Sequence, residues 1–361
     1  MGAVKISTYG NMLSCRLPVS AVEAMAGLDS LRLLARGAYA MTNVGDTTTQ
    51  GDAAIKSDVA RTNFGLDGSG VIVGVLSDSY NCLGGAASDV VSNDLPSGVN
   101  VLQEISSCPA SDEGRAMMQL VHDVAPGTPL AFHSAFNGMA DFANGIQELA
   151  TIANAKVIVD DVTYFAEPMF QDGIVAQAVD TVRNKGSAYF SSAGNSTRRS
   201  YESAFVSSGT LPFTGDPSSI AHDFDPGSGI DVFQRVTIPQ GTSLSISFQW
   251  DQPFASVTGG AGSANDVDIY LFPNPTPTLP TNPASTALAG SASGNVNGDP
   301  VEVFQYVNPS GSGVTSFNIM STHYSGPPAG RMKYIIFRNV TINEYATNSS
   351  TVFGHHNADG T

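Results

Sequence analysis

The sequence predicts an α/β protein: a doubly wound parallel sheet, followed by an inserted all-β sandwich. Three observations carry this. Apolar runs without polar alternation, such as Val71-Ile72-Val73-Gly74-Val75-Leu76, mark strands buried on both faces. Segments with apolar residues at helical spacing alternate with those runs between residues 68 and 195. Beyond residue 200 helical periodicity stops, and alternating segments separated by Gly- and Pro-rich turns take over.

Residues 3–36 read as a small strand–helix–strand unit. Ser14-Cys15-Arg16-Leu17 is extended, and Pro18 opens a helix over 20–27 with Val19, Val22, Ala26 and Leu28 on one face. Leu31-Arg32-Leu33-Leu34 is the second strand, and the polar residues 37–60 read as a linker. The first core strand ends at Asp78, and a helix follows from Glu113 to residue 123. Leu130-Ala131-Phe132-His133-Ser134 is the next strand. Phe142, Ile146, Leu149 and Ile152 predict a helix over 138–153. Val157-Ile158-Val159 is a third buried strand, ending in Asp160-Asp161. A helix over 171–185 presents Ile174, Val175, Ala178, Val179 and Val182, and Ala188-Tyr189-Phe190 leads into Ser191-Ser192-Ala193-Gly194-Asn195. The sandwich strands are centred on 232–236, 244–250, 267–272, 301–306 and 333–337. The stretch 351–361 reads as the approach to a further core strand.

Ligands of a doubly wound sheet gather at the carboxyl ends of its strands. Asp78, Asp161 and Asn195 sit at such ends, and Glu113 opens a helix on the same side. Asp112-Glu113 also reads as a charged helix N-terminus favoured by the dipole, and Asp160-Asp161 as a capped, solvated strand end. Asp266 and Asp268 are candidates for a structural Ca²⁺ site with turn oxygens. His355-His356 is a metal-ligand pair by residue type alone, whereas His122 and His133 lie on core elements and read as structural.

The 361 residues suffice for two or three domains. Only 13% are charged, the formal charge is −16 and the pI is about 4.5. That balance argues against nucleic acid and anionic membrane as partners. No apolar run reaches the ~18 residues of a membrane span, and Met1-Gly2 opens no signal-peptide pattern.

The stretch Glu113-Gly114-Arg115-Ala116-Met117, continued to Val124-Ala125-Pro126-Gly127, resembles the subtilisin/sedolisin clan of serine peptidases. In subtilisins this frame begins with the catalytic histidine; here Glu113 stands in its place, as in the acid-acting sedolisins. The resemblance covers residues 68–200 well and the N-terminal unit loosely. It implies Asp78 at the catalytic aspartate position, Glu113 as base and Asn195 as oxyanion-hole amide. Sedolisins have an aspartate at that last place and another one turn after the glutamate, where this chain has Met117. Asp161 is therefore the expected second carboxylate beside Asp78. Crowded carboxylates share a proton and suit a base working at roughly pH 3–6.

The clan carries its nucleophile in Gly-Thr-Ser at the start of a long helix. Gly241-Thr242-Ser243 instead opens an alternating strand, so the catalytic serine is expected to lie outside this chain. The resemblance further implies a propeptide remnant at 1–45 contacting the catalytic core, an α/β core over 46–204, an inserted jelly-roll sandwich over 205–343 and a return to the core over 344–361. It implies a secreted endopeptidase acting on protein or peptide substrates without a required cofactor. Cys82 and Cys108 flank the loop between Asp78 and Glu113, and a bridge there would contribute roughly 3–4 kcal/mol. Cys15 is left over. The alternative is a non-catalytic binding protein that uses the cleft or the sandwich.

Overall fold

The computed structural model describes the chain except residues 1, 3, 29–30, 32–39, 42–49, 214–215, 217, 277–285, 348 and 359–361. Two compact units result: Met1–Tyr164 with Asp172–Ala193 and Gly354–Thr361, and Phe165–Gln171 with Gly194–Phe353. The boundaries expected at 204/205 and 343/344 thus fall at 193/194 and 353/354. The N-terminal residues belong to the first unit.

That unit opens with a hairpin the sequence reading did not anticipate, β1 (Val4–Tyr9) against β2 (Met12–Arg16). Gly10 takes a φ of +52 in the two-residue Gly-Asn turn between them. The expected helix is shorter, α1 (Val22–Ala26), entered through a 3-10 turn at Val19–Ala21. From residue 32 on, the expected second strand lies outside the described residues. β3 (Ala40–Met41) follows, and the end of the supposed linker is helical: α2 (Gly51–Ile55) and α3 (Ser57–Phe64). A two-pronged Arg61–Asp52 ion pair clips these helices together, at 2.6 and 2.7 Å.

The core then runs β4 (Val73–Ser77), α4 (Ala86–Val91), β5 (Asn100–Gln103), α5 (Glu113–Val124), β6 (Leu130–Ser134), α6 (Met139–Thr151), β7 (Val157–Asp160), β8 (Thr163–Tyr164), α7 (Ile174–Asn184) and β9 (Ala188–Ser191). Five strands form a parallel sheet in the order β5-β6-β4-β7-β9. Every β4 residue is buried. Its side chains divide by the period of two: Val73 and Val75 pack with Met118 of α5, Leu76 with Phe142, Ile146 and Leu149 of α6 and with Val179 of α7. The sheet is therefore covered on both faces. The hairpin rests on α6, where Asn144 Nδ2 donates to Ser7 Oγ at 2.6 Å and to the Thr8 carbonyl at 2.9 Å. Gly354–Asn357, within the stretch read as an approach to a further strand, is a 3-10 turn.

The second unit comprises β10 (Ser200–Ala204), β11 (Ile220–Ala221), β12 (Gln234–Thr237), β13 (Ser243–Trp250), the short α8 (Ala255–Thr258), β14 (Asp266–Pro273), β15 (Ala289–Ser291), β16 (Val301–Val307), β17 (Ser316–Ser325), β18 (Arg331–Phe337) and β19 (Thr341–Ile342). One antiparallel sheet has the order β10-β18-β13-β16, the other β15-β14-β17-β12-β19 with β11 on β17. Ile246, Phe248 and Trp250 of the first sheet share a core with Ile269, Leu271 and Ile319 of the second. The two ends of this unit meet: Thr351 Oγ1 donates to the Thr197 carbonyl at 2.8 Å. Among the described residues no helix is long and apolar enough to cross a membrane.

Ile246 is fully buried at the centre of β13. Ile246→Ala should lower the stability of the second unit by about 2–5 kcal/mol. Denaturant unfolding followed by the fluorescence of Trp250, the chain's one tryptophan and part of the same core, checks this directly.

Candidate active site

Adjacent parallel strands whose connections leave toward opposite sides open a crevice beyond their carboxyl ends. In this sheet β4 leads toward β5 and β6, whereas its other neighbour β7 leads to β9. Asp78 follows β4, and Asp160-Asp161 end β7.

Asp78 is 4% exposed and its carboxylate is saturated with donors. Oδ1 accepts the N–H groups of Ser79 at 2.5 Å and Glu113 at 3.0 Å. Oδ2 accepts the N–H of Ser111 at 2.5 Å and its hydroxyl at 2.6 Å. The Glu113 N–H is one of the groups that the first turn of α5 leaves without a helical partner. Asp78 therefore caps α5 from a distant strand and fixes where the helix begins.

Asp112, next to it, adopts a left-handed conformation at φ +57 and is 3% exposed. Its carboxylate takes the Ser79 hydroxyl at 2.7 Å, the N–H groups of Cys82 and Leu83 at 2.6 and 2.9 Å, and the Arg115 guanidinium. Burial alone would raise its pKa. The Ser79 hydroxyl, the two N–H groups and Arg115 outweigh it and hold the carboxyl below its ordinary value. Cys82 and Cys108 are disulfide-bonded, so the loop that Asp112 grips is also closed covalently.

Glu113 is then the first residue of α5, half-buried, and accepts the Ser77 hydroxyl on Oε2 at 3.1 Å. Gly114 follows because nothing larger fits. A Cβ there would lie 2.4 Å from Phe132 and 2.9 Å from the Ser79 carbonyl. Asp161, half-buried at the end of β7, takes the hydroxyl of Ser192. The structure thus brings Asp78 into contact with the Glu113 main chain and places Asp161 at the end of the neighbouring strand. Asn195 belongs to the second unit, where Arg199 donates to its carbonyl at 3.3 Å. Ser243 opens β13 and pairs with Val307; no helix starts there. Asp266 and Asp268 lie buried on β14 of the second unit.

Sequence reasoning missed a second cluster at the same sheet edge. Asp160 is enclosed, and its Oδ1 accepts the Val162 N–H at 3.1 Å and the Ser191 hydroxyl at 3.0 Å and faces His355 Nε2 at 3.2 Å. His355 is wholly buried and packs edge-on to Phe142 and Tyr189. His356 Nδ1 lies 2.6 Å from Ser191 Oγ, and its Nε2 3.2 Å from Thr163 Oγ1. Burial would raise the Asp160 pKa; the charge and hydrogen bond of His355, then His356 and Tyr189, bring it below the ordinary carboxylate value. Ligand atoms of Asp160, His355 and His356 lie within 4.8 Å of one another. The partners they already have make this a hydrogen-bond network that seats Gly354–Asn357 on the sheet. Only the pattern of an aspartate ending an apolar strand, with a distant His-His pair, hinted at it in the sequence.

No family model matches the chain, and no curated protein matches it. Among solved structures it is similar to the CspB protease of Clostridium perfringens, at 11% identity and a TM-score of 0.40 over 85% of this chain and 70% of that one. It is also similar to a structure described as "CBM4 structure and function", at 14% identity and a TM-score of 0.20 over 35% of this chain and 70% of that one.

Two outcomes are expected of this edge. Gly114→Ala should destabilise the first unit by about 1–3 kcal/mol, because Phe132 and the strand must shift; calorimetry of the variant measures it. Asp160 has a lowered folded pKa, so its stabilisation is present above the unfolded value and is lost as pH falls through the folded one. Asp160→Asn should cost about 3 kcal/mol near pH 6 and flatten that acid limb, which unfolding curves between pH 2 and pH 6 would show.

Proposed function

We propose that this chain carries the base-bearing part of a serine peptidase of the subtilisin/sedolisin type, acting on protein or peptide substrates. One observation supports this above the others: Glu113 starts a helix at the switch crevice, its N–H held by the Asp78 carboxylate and its own carboxylate on the Ser77 hydroxyl. In this reading Glu113 takes the proton of a serine hydroxyl as its oxygen attacks the scissile carbonyl carbon. Glu113 then returns the proton to the amine as the C–N bond breaks, and water hydrolyses the ester. Asp78 has its lone pairs filled by donors, so it positions Glu113 and moves no proton itself. Asp161 shares the negative field beside the base.

A carboxylate base implies an acid optimum. The disulfide suits an oxidising, extracellular compartment. In the same reading the second unit is a jelly-roll module, and the hairpin with α1 is a propeptide remnant resting on the core.

Gly241-Thr242-Ser243 does not open a helix, which favours a second reading: a non-catalytic relative of peptidases that binds protein or polysaccharide. Because the catalytic serine is expected outside this chain, the test uses the chain together with its serine-bearing segment: hydrolysis of a denatured protein substrate between pH 3 and pH 8 separates the two, with a fluorophosphonate probe and mass spectrometry to locate the reacting serine. The peptidase reading expects an optimum below pH 7 and a loss of at least 10³-fold in kcat for Glu113→Gln, of the order of removing an essential base. Activity unchanged in Glu113→Gln would sink the assignment of the base. Substrate binding without turnover at any pH would establish the binder instead.

A further inference from the structure

Three carboxylates in the second unit are gathered where they repel one another. Asp266 and Asp268 of β14 are each 5% exposed and Glu302 of β16 is 1% exposed. One oxygen from each lies within 4.8 Å of the others. Among the described residues no ion pair reaches any of them. Their hydrogen-bond donors are neutral. Asp268 takes the Tyr270 hydroxyl at 2.8 Å, Asp266 the Asn295 N–H at 3.4 Å, and Glu302 the Ser293 N–H at 2.8 Å together with the Ser291 hydroxyl. A group left like this costs stability unless a positive charge joins it.

Two more oxygens stand beside the cluster without partners. Thr322 is directly opposite Asp268 in the β14–β17 register, so both side chains share one face of the sheet. Its hydroxyl is buried and makes no hydrogen bond. Asn295 holds Asp266 through its N–H, and its Nδ2 donates to the Asp299 and Val301 carbonyls at 2.7 and 3.3 Å, next to Glu302. Its Oδ1 is left buried and unbonded. Every donor atom of this set is a hard oxygen, which selects calcium or magnesium over thiophilic metals. Mg²⁺ usually keeps several waters, whereas Ca²⁺ accepts a shell built wholly of protein oxygens; a cluster as buried as this one suits calcium.

We propose that Asp266, Asp268 and Glu302 bind one calcium ion, with Asn295 Oδ1 and Thr322 Oγ1 available to complete its shell. The ion would join β14 of one sheet to β16 of the other, and the proposal does not depend on the peptidase reading. The test uses the full chain, stripped with a chelator and then titrated with Ca²⁺ or Mg²⁺, with unfolding followed at Trp250. Calcium at 100-fold above its Kd should raise the Tm by about 5 °C or more, and magnesium by less. Asp268→Asn and Glu302→Gln should each abolish the rise while leaving the cation-free Tm at or above that of the wild type, because one repelled charge is gone. A Tm indifferent to calcium, or an equal rise in both variants, overturns the site. Should the amide variants fail to fold, Tb³⁺ added to the wild type decides. Emission sensitised by Tyr270, saturating at one ion and displaced by Ca²⁺, supports the site; its absence refutes it.

Discussion

The sheet edge depends on the hydrogen bonds that converge on one carboxylate. Asp78 receives donors from the residue after its strand, from the loop before α5 and from the helix itself. An isolated carboxylate at 4% exposure would be costly. Its donors, three of them main-chain N–H groups, supply what water would have supplied and do so in one geometry. The start of α5, the place of Glu113 and the fit of Gly114 under Phe132 all follow from that geometry. Asp112 supports it from the other side, its unfavourable left-handed backbone offset by bonds to the disulfide-closed loop and to Arg115.

The parallel sheet was legible because burial on both faces forces an uninterrupted apolar run such as 73–76, and because α6 and α7 show their core faces at helical spacing. The exposed strand β5 and the separate hairpin β1–β2 left no such trace, since neither has to be apolar. The helices α2 and α3 have no buried residue, so no hydrophobic period marked them, and an ion pair joins them instead. In the second unit β17 is the longest strand and lies at the centre of its sheet, yet Asn318, Ser321, Thr322 and His323 broke its alternation.

The candidate site divides in the same way. Asp78 and Glu113 were readable because local signals surround each: an apolar strand before the first, a glycine and a helix after the second. Asp161 was readable as a strand end, although its partner Ser192 was not. The network of Asp160, Ser191, His355 and His356 joins residues 195 positions apart, and no local pattern reports such pairing. The trio of Asp266, Asp268 and Glu302 was half visible. The two aspartates repeat at strand spacing, but Glu302 comes from a strand of the other sheet.

The bond between Thr351 and Thr197 bears on the order in which the molecule can assemble. His355 must reach Asp160 across 195 residues, a long loop to close during synthesis. Once the intervening strands have condensed, the contact of their two ends removes 154 of those residues from the loop. The entropic cost of the final docking then falls by about 1 kcal/mol. An insert that condenses before that docking behaves as a short tether between the two parts of the first unit.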